Sequence, residues 1–420
     1  MSEIQHPTTE RRPDAGRPAP ELRRARMSVS VYFFIAGVII ATWAARIPAV
    51  KAQTGLSDGA LSIGLLGLAV GALAAMQVAG RMVDRFGSAA NIVPAAVFGS
   101  LALIAPGLSN SLASLFVALA AVGAGHGLID VPMNVHAARV ERRYGRPIMA
   151  SFHAAFSIGG FVGAAVGALA AWVGLSPLIT FTIVAVALVA LALPARTHLL
   201  PGLDADSPVG AAPAGHSPPK RGRNRLPLKI VLFGLIAMCS MVAEGAATDW
   251  ASVYLHDGLG ASGAVAALGF SVFSAMMAAG RLVGDRLTAR FGPVLLLRWG
   301  GLLAGGGLSA GLLVPSPLVG IVGFGLMGAG LSCIIPQVFT AATNHDPLRA
   351  GRNLGFVSAI GYFGLLSGPV AIGAISHSAG LGVALAVPVV LSLLIAAGAV
   401  TLRPGGSPAQ EPQPEPAVAA

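Results

Sequence analysis

Twelve stretches of roughly twenty residues, each almost unbroken in apolar side chains, take up most of this sequence. They cover 28–48, 60–81, 89–106, 111–135, 147–173 and 177–194, then 228–255, 264–287, 293–314, 318–341, 353–376 and 381–402. Coiled as an α-helix rising 1.5 Å per residue, a run of this length spans the ~30 Å hydrocarbon core of a bilayer. Lipid offers no partners to backbone N–H and C=O groups, so spanning segments must be helices or closed barrels. These runs are too long and continuous for barrel strands of about ten alternating residues. The expected fold class is an all-α membrane protein with twelve transmembrane helices. Composition excludes the soluble alternative: 10% of residues are charged and the mean hydropathy is +0.77, whereas roughly 25% charge is usual in soluble domains.

The formal charge of +10 would by itself raise the question of a polyanionic partner. Its distribution gives another answer. With the polar N-terminus placed in the cytoplasm and sides alternating thereafter, every Lys and Arg except Arg46 and Lys51 falls in a cytoplasmic segment. In this assignment Arg281 and Arg286 belong to the segment to which the eighth run leads. Cationic loops resist translocation, so this bias sets both termini in the cytoplasm and removes the ground for nucleic-acid binding. The leader MSEIQHPTTERR is polar and no small-residue cleavage pattern precedes Met27, so the first helix is expected to remain in the mature protein. Cys239 and Cys333 both fall within runs, and neither a disulfide framework nor a metal cluster or other cofactor is expected.

Residues 195–227 lack apolar periodicity and are rich in Pro, Gly and basic residues, which marks a linker between six-helix halves at 28–194 and 228–402. The tails 1–27 and 403–420 have the composition of disordered segments. The halves repeat one another. AGRMVDRFG from Ala79 returns as AGRLVGDRLTARFG from Ala279, and GLIDVPMNVHAA from Gly127 returns as GLSCIIPQVFTAA from Gly330. Gly145-Arg146 similarly matches Gly351-Arg352. An even number of helices per copy gives both halves the same orientation, so the repeat is parallel about an axis along the membrane normal.

With two such parallel six-helix repeats, the chain resembles the major facilitator superfamily of secondary transporters. Gly80, Asp84, Arg85 and Gly87 fit that family's loop signature between helices 2 and 3, and Asp285 and Arg286 belong to the second copy. The resemblance implies a cytoplasmic latch that breaks as the halves rock. Ser88, Ala89 and Ala90 depart from it, since basic residues are usual there. TWAARIPAV, GLIDVPMN, SFHAAFSIGG and EGAATDW resemble a bacterial inner-membrane branch related to the fucose permease class of proton-coupled sugar importers. In that class an acid on helix 4, an Asn one turn later and a polar residue on helix 5 carry proton and sugar. Asp130, Asn134 and His153 match those positions, while the acid of helix 1 has no counterpart.

The spacing of helix 4 points to the same residues. His126, Asp130 and Asn134 recur every four residues and share one face over about 12 Å. Ionisable groups inside a membrane are costly unless they face a bundle interior or wet cavity, so Asp130 is the first candidate for proton coupling, with His126 and Glu244 as further candidates. The competing expectation is a structural Asp130 hydrogen-bonded to the start of helix 5. Glu244 and Asp249 on helix 7 are five residues, or ~140°, apart, which a regular helix is not expected to aim at one cavity. Arg46 lies at comparable outer depth and is expected to pair with one of them as an outer gate. Gln77, Gln337, Trp43 and Trp250 complete the candidate solute contacts, although packing and interfacial roles compete for each.

The function expected is alternating-access symport of protons with a small, sugar-like solute, by a monomer in the bacterial inner membrane. Proton-driven efflux of a drug or metabolite is the alternative. No HExxH motif or soluble output domain supports an enzyme or a sensor.

Overall fold

The computed structural model describes residues 18–202 and 227–403. The outer parts of both expected tails and most of the linker, 203–226, therefore lie outside the described residues. No strand occurs among the described residues. The first half comprises α1 (Pro20–Thr54), α2 (Asp58–Phe86), α3 (Ser88–Ala102), α4 (Leu112–Tyr144), α5 (Met149–Trp172) and α6 (Pro177–Ala195). The second half starts with α7 (Leu228–Val253). The long helix Gly263–Leu313 follows, broken at Gly292 into α8 (263–291) and α9 (293–313). Then come α10 (Pro317–His345), α11 (Ala350–Ala379) and α12 (Leu381–Leu402).

Eleven of these helical segments are long and apolar enough to cross a membrane, and the break at Gly292 divides one of them into two spans. Gly292 has φ 74° and ψ 164°; Gly87, between α2 and α3, has φ 79° and ψ 158°. Glycine supplies this left-handed turn without steric cost, and the shared geometry shows the duplication at backbone level.

The α1 helix starts ahead of its apolar run. Pro20 presets the first turn, Glu21 complements the helix dipole, and the following arginines are good helix formers. Packing repeats as the sequence does: α1 lies against α5 and α2 against α4, as α7 lies against α11 and α8 against α10. Within a bilayer such contacts depend on close approach rather than on exclusion of water. Gly159, Gly163 and Gly167 of α5 meet α1 accordingly. In α10 the helix is interrupted at Ser332–Cys333. The second copy holds one more residue between its Gly and its Pro than α4 does, and the interruption absorbs it.

The described start of the linker is tied down. Arg139 is fully buried and donates to the carbonyls of Leu200 (3.2 Å), Pro201 (2.6 Å) and Gly202 (3.0 Å). His136 accepts from the Leu200 amide at 3.1 Å. Arg139 thus leaves the loop set to which its charge assigned it. Its position in the last third of α4 turns it into the protein, where three carbonyls solvate the guanidinium.

Candidate functional site

A cavity of about 400 Å³ lies between the halves, lined from α1, α2, α4, α5, α7, α8, α10 and α11. Asp130 and His126 stand on its α4 wall, because their four-residue spacing keeps them on the face turned to the second half. Asp130 is 5% exposed. Its carboxylate accepts from the Ser358 hydroxyl of α11 at 3.2 Å and from Asn134 Nδ2 at 3.2 Å. Asn134 also donates to the Asp130 carbonyl at 2.9 Å and is fully buried behind it. The start of α5 is served by a different acid: Glu141 accepts from the amides of Ile148 and Met149, both at 2.7 Å. Asp130 is therefore not the cap of helix 5, and its partners are Asn134 and the opposite half.

His126 meets the Tyr362 hydroxyl of α11 at 2.7 Å through Nε2. His153 lines the same cavity from α5, packed edge-on against Phe33 and Phe339, with its Nε2 unpartnered. Glu244 and Asp249 both line the cavity with Gly245 and Thr248 between them. This corrects the expectation that ~140° would part them. The cavity wraps a wide arc of α7, from Met241 to Asp249.

Arg281 is the lining residue that sequence reasoning misplaced. It is 9% exposed, faces the cavity from α8 and donates from Nη1 to Ser157 Oγ of α5 at 2.8 Å. The eighth run encloses it, as the fourth encloses Asp130, and a charge inside a run was the available signal. The helix continues to Phe291, so Arg281 lies well inside it.

Several candidate solute contacts lie elsewhere. Gln77 donates across the halves to the Gly355 carbonyl at 3.1 Å and borders a separate cleft with Arg81 and Arg352. Gln337 donates to Thr288 Oγ1 at 2.8 Å and borders a cleft with Lys229 and Arg403. Trp43 is buried against the Phe181 ring of α6, and Trp250 packs beside Gly373 of α11. None of the four is among the residues that line the cavity.

Arg46 donates to the Leu175 carbonyl in the α5–α6 connection. Among the described residues it forms no ion pair with Glu244 or Asp249.

The residues expected to form a latch lie at the end of the molecule where α1 begins and α12 ends. Asp84 of α2 accepts from the amides of Gly351 (2.8 Å) and Arg352 (3.1 Å) at the start of α11. Asp285 of α8 accepts from the Ser151 amide (3.2 Å) at the start of α5 and faces Arg26 at 3.8 Å. The two acids perform the same act in opposite directions, each capping a helix of the other half, where free amides and the helix dipole favour a carboxylate. Gly80 and Gly351 allow this approach, since a Cβ on Gly80 would lie 2.7 Å from the Gly351 carbonyl oxygen. Arg85 and Arg286 are exposed, and Arg85 lies over the Phe86 ring.

Glu141 and Arg142 add contacts to Thr340 (3.1 Å) and Asn344 (2.8 Å) of α10. The hydrogen bonds and the ion pair named here that join the halves lie at the cavity or on its terminal side.

The family model described as Major Facilitator Superfamily matches residues 28–350 and 232–419. An uncharacterized MFS-type transporter of Yersinia pestis is 35% identical over 376 residues, covering 89% of this chain and 94% of that protein. The membrane protein MosC of Rhizobium meliloti is 30% identical over 387 residues, covering 89% of each. Among solved structures, the transporter FucP in its outward conformation superposes with a TM-score of 0.70 at 17% identity, covering 90% of this chain and 98% of FucP. The proton:xylose symporter XylE gives 0.70 at 12% identity, with 91% and 95% covered. At such identities the likeness to these structures is one of fold.

Proposed function

We propose that this chain, which belongs to the major facilitator superfamily, is a proton-coupled symporter of a small polar, sugar-like solute that works by alternating access. One observation carries the reading: a buried carboxylate, Asp130, lines the inter-half cavity and is hydrogen-bonded to Ser358 of the other half. An acid in that position has two jobs. It exchanges a proton with the cavity, and its contact with Ser358 has to break or re-form when the halves rock. Protonation and conformation are thereby linked through one group.

The distribution of Lys and Arg assigns the terminal end to the cytoplasm of a bacterial inner-membrane protein. On that assignment the arrangement described is outward-open, with its cytoplasmic side closed by the caps of Asp84 and Asp285. Solute enters the cavity from outside and meets His126, Asp130, His153 and Tyr362. Closure of the outer side then brings Arg46 toward Glu244 or Asp249 while the inner caps release. The likeness to FucP and XylE, named respectively as a transporter and as a proton:xylose symporter, supports this fold of events without fixing the solute.

The test uses purified protein in vesicles, with solutes first chosen by their ability to raise its melting temperature. Accumulation that requires an inward proton gradient supports symport. Accumulation under the opposite gradient favours efflux.

A further inference from the structure

The cavity holds more charge than a neutral sugar needs. Arg281 is buried in its wall with Nε unpartnered, its single described hydrogen bond going to the neutral Ser157 hydroxyl. Among the described residues it has no ion-pair partner, and neither do Glu244 and Asp249 of α7, which line the same cavity. Asp130, Glu244, Asp249 and Arg281 all line this one cavity of about 400 Å³ together with Tyr362.

While the cavity is open, water can solvate these groups. Alternating access requires a closed state, and a charge enclosed without a partner is heavily penalised. A charge count shows what closure needs. Asp130 takes the proton. Arg46, reaching in from α1, can answer one of the two acids of α7. Asp249 lies nearer the outer end, so it is the one within Arg46's reach, and Glu244 is left about 7.5 Å deeper. One anionic site and one cationic site, Glu244 and Arg281, remain to be matched by the solute. A phosphate dianion would exceed a single guanidinium and be repelled by the neighbouring acids. A carboxylate matches it in charge and in planar, two-pronged geometry.

Resting on the symport reading above, we infer that the solute is zwitterionic: a small polyhydroxylated molecule whose carboxylate pairs with Arg281 and whose ammonium group pairs with Glu244. The imidazoles of His126 and His153 and the hydroxyl of Tyr362 then face the neutral part of the solute.

The test is a melting-temperature titration of the purified full-length protein with four matched pyranoses: D-glucose, D-glucosamine, D-glucuronate and D-glucosaminuronate. The expected order places D-glucosaminuronate first and D-glucose last. Arg281→Gln should weaken the two carboxylate-bearing compounds by about tenfold or more while sparing D-glucosamine, and Glu244→Gln should do the converse. Arg281→Lys should restore part of the carboxylate preference. Ser157→Ala removes the clasp on Arg281 and keeps its charge, so it should retain that preference; if it instead behaves as Arg281→Gln does, Arg281 is a clasp between halves and the inference fails. D-glucose binding as tightly as D-glucosaminuronate overturns the inference, as does an unchanged order in either charge variant or a lack of response to all four. Vesicle uptake separates the two readings. Charge-selective binding without proton-driven accumulation leaves the inference standing and removes symport, whereas proton-driven accumulation of D-glucose does the reverse.

Discussion

Asp130 of α4 and Ser358 of α11 are 3.2 Å apart, a hydrogen bond that joins the two halves beside the inter-half cavity. It is the point at which a change of protonation can be felt as a change in how the halves hold together. Ser358→Ala removes the donor and keeps the acid. Hydrogen bonds to charged groups contribute roughly 1.5–3 kcal/mol, so the arrangement proposed above as outward-open should lose about that much support. The expected result is retained proton-dependent uptake with a changed solute affinity, read from initial rates; unchanged affinity would mean that the bond does not contribute to the conformational balance.

The caps made by Asp84 and Asp285 are worth about 1–2 kcal/mol each by analogy with helix N-caps. Asp84→Ala or Asp285→Ala should therefore shift the population away from the outward-open form by about five- to thirty-fold. In protein lacking Cys239 and Cys333, maleimide labelling of Leu365→Cys in the cavity reports that form from the outside, and its rate should fall in both variants.

Bulk at Gly80 should act in the same direction for a steric reason. Gly80→Val must displace the Gly351 backbone, because even a Cβ would come within 2.7 Å of its oxygen. Combined with Asp84→Ala it should add little, since both break the same contact between α2 and α11. Full additivity in the labelling assay would show two separate contacts.

Arg46 is expected to change partners during transport. Arg46→Glu should abolish uptake, and a second change, Asp249→Arg, should restore part of it; Glu244→Arg should restore less. Equal failure of both swaps would leave Arg46 with its bond to Leu175 alone.

Arg139 tests structure rather than transport. It is fully enclosed and solvated by three carbonyls, so Arg139→Met should cost about 2–4 kcal/mol and lower the melting temperature in detergent. An unchanged melting temperature would mean that residues 200–202 rearrange without loss.

The fold was legible in the sequence because lipid reduces the question to one of length and polarity. The apolar runs and the repeat of AGRMVDRFG are enough to place helices and halves, down to the paired turns at Gly87 and Gly292. The cavity lining was legible where one helix supplies the geometry, as with His126 and Asp130, while Asn134, expected as a solute contact on the same face, lies fully buried behind Asp130. It was not legible where membership depends on the rotation of a helix against partners elsewhere in the chain. Gln337 faces Thr288 because the one-residue interruption in α10 changes its direction. Glu244 and Asp249 share a cavity because its width, which no local spacing encodes, spans both. Arg281 was assigned with the charges of a loop although its own run encloses it, and it proved to be a buried cavity cation.

The central claim is that Asp130 couples proton movement to solute transport. The most direct measurement compares wild-type protein and Asp130→Asn in proteoliposomes, using a solute that raises the melting temperature of both. Asparagine keeps the size and hydrogen-bonding capacity of the site but cannot exchange the proton. The expected result is near-normal solute binding and exchange, with proton-driven accumulation and solute-induced proton uptake both lost. Accumulation equal to wild type in Asp130→Asn would contradict the assignment.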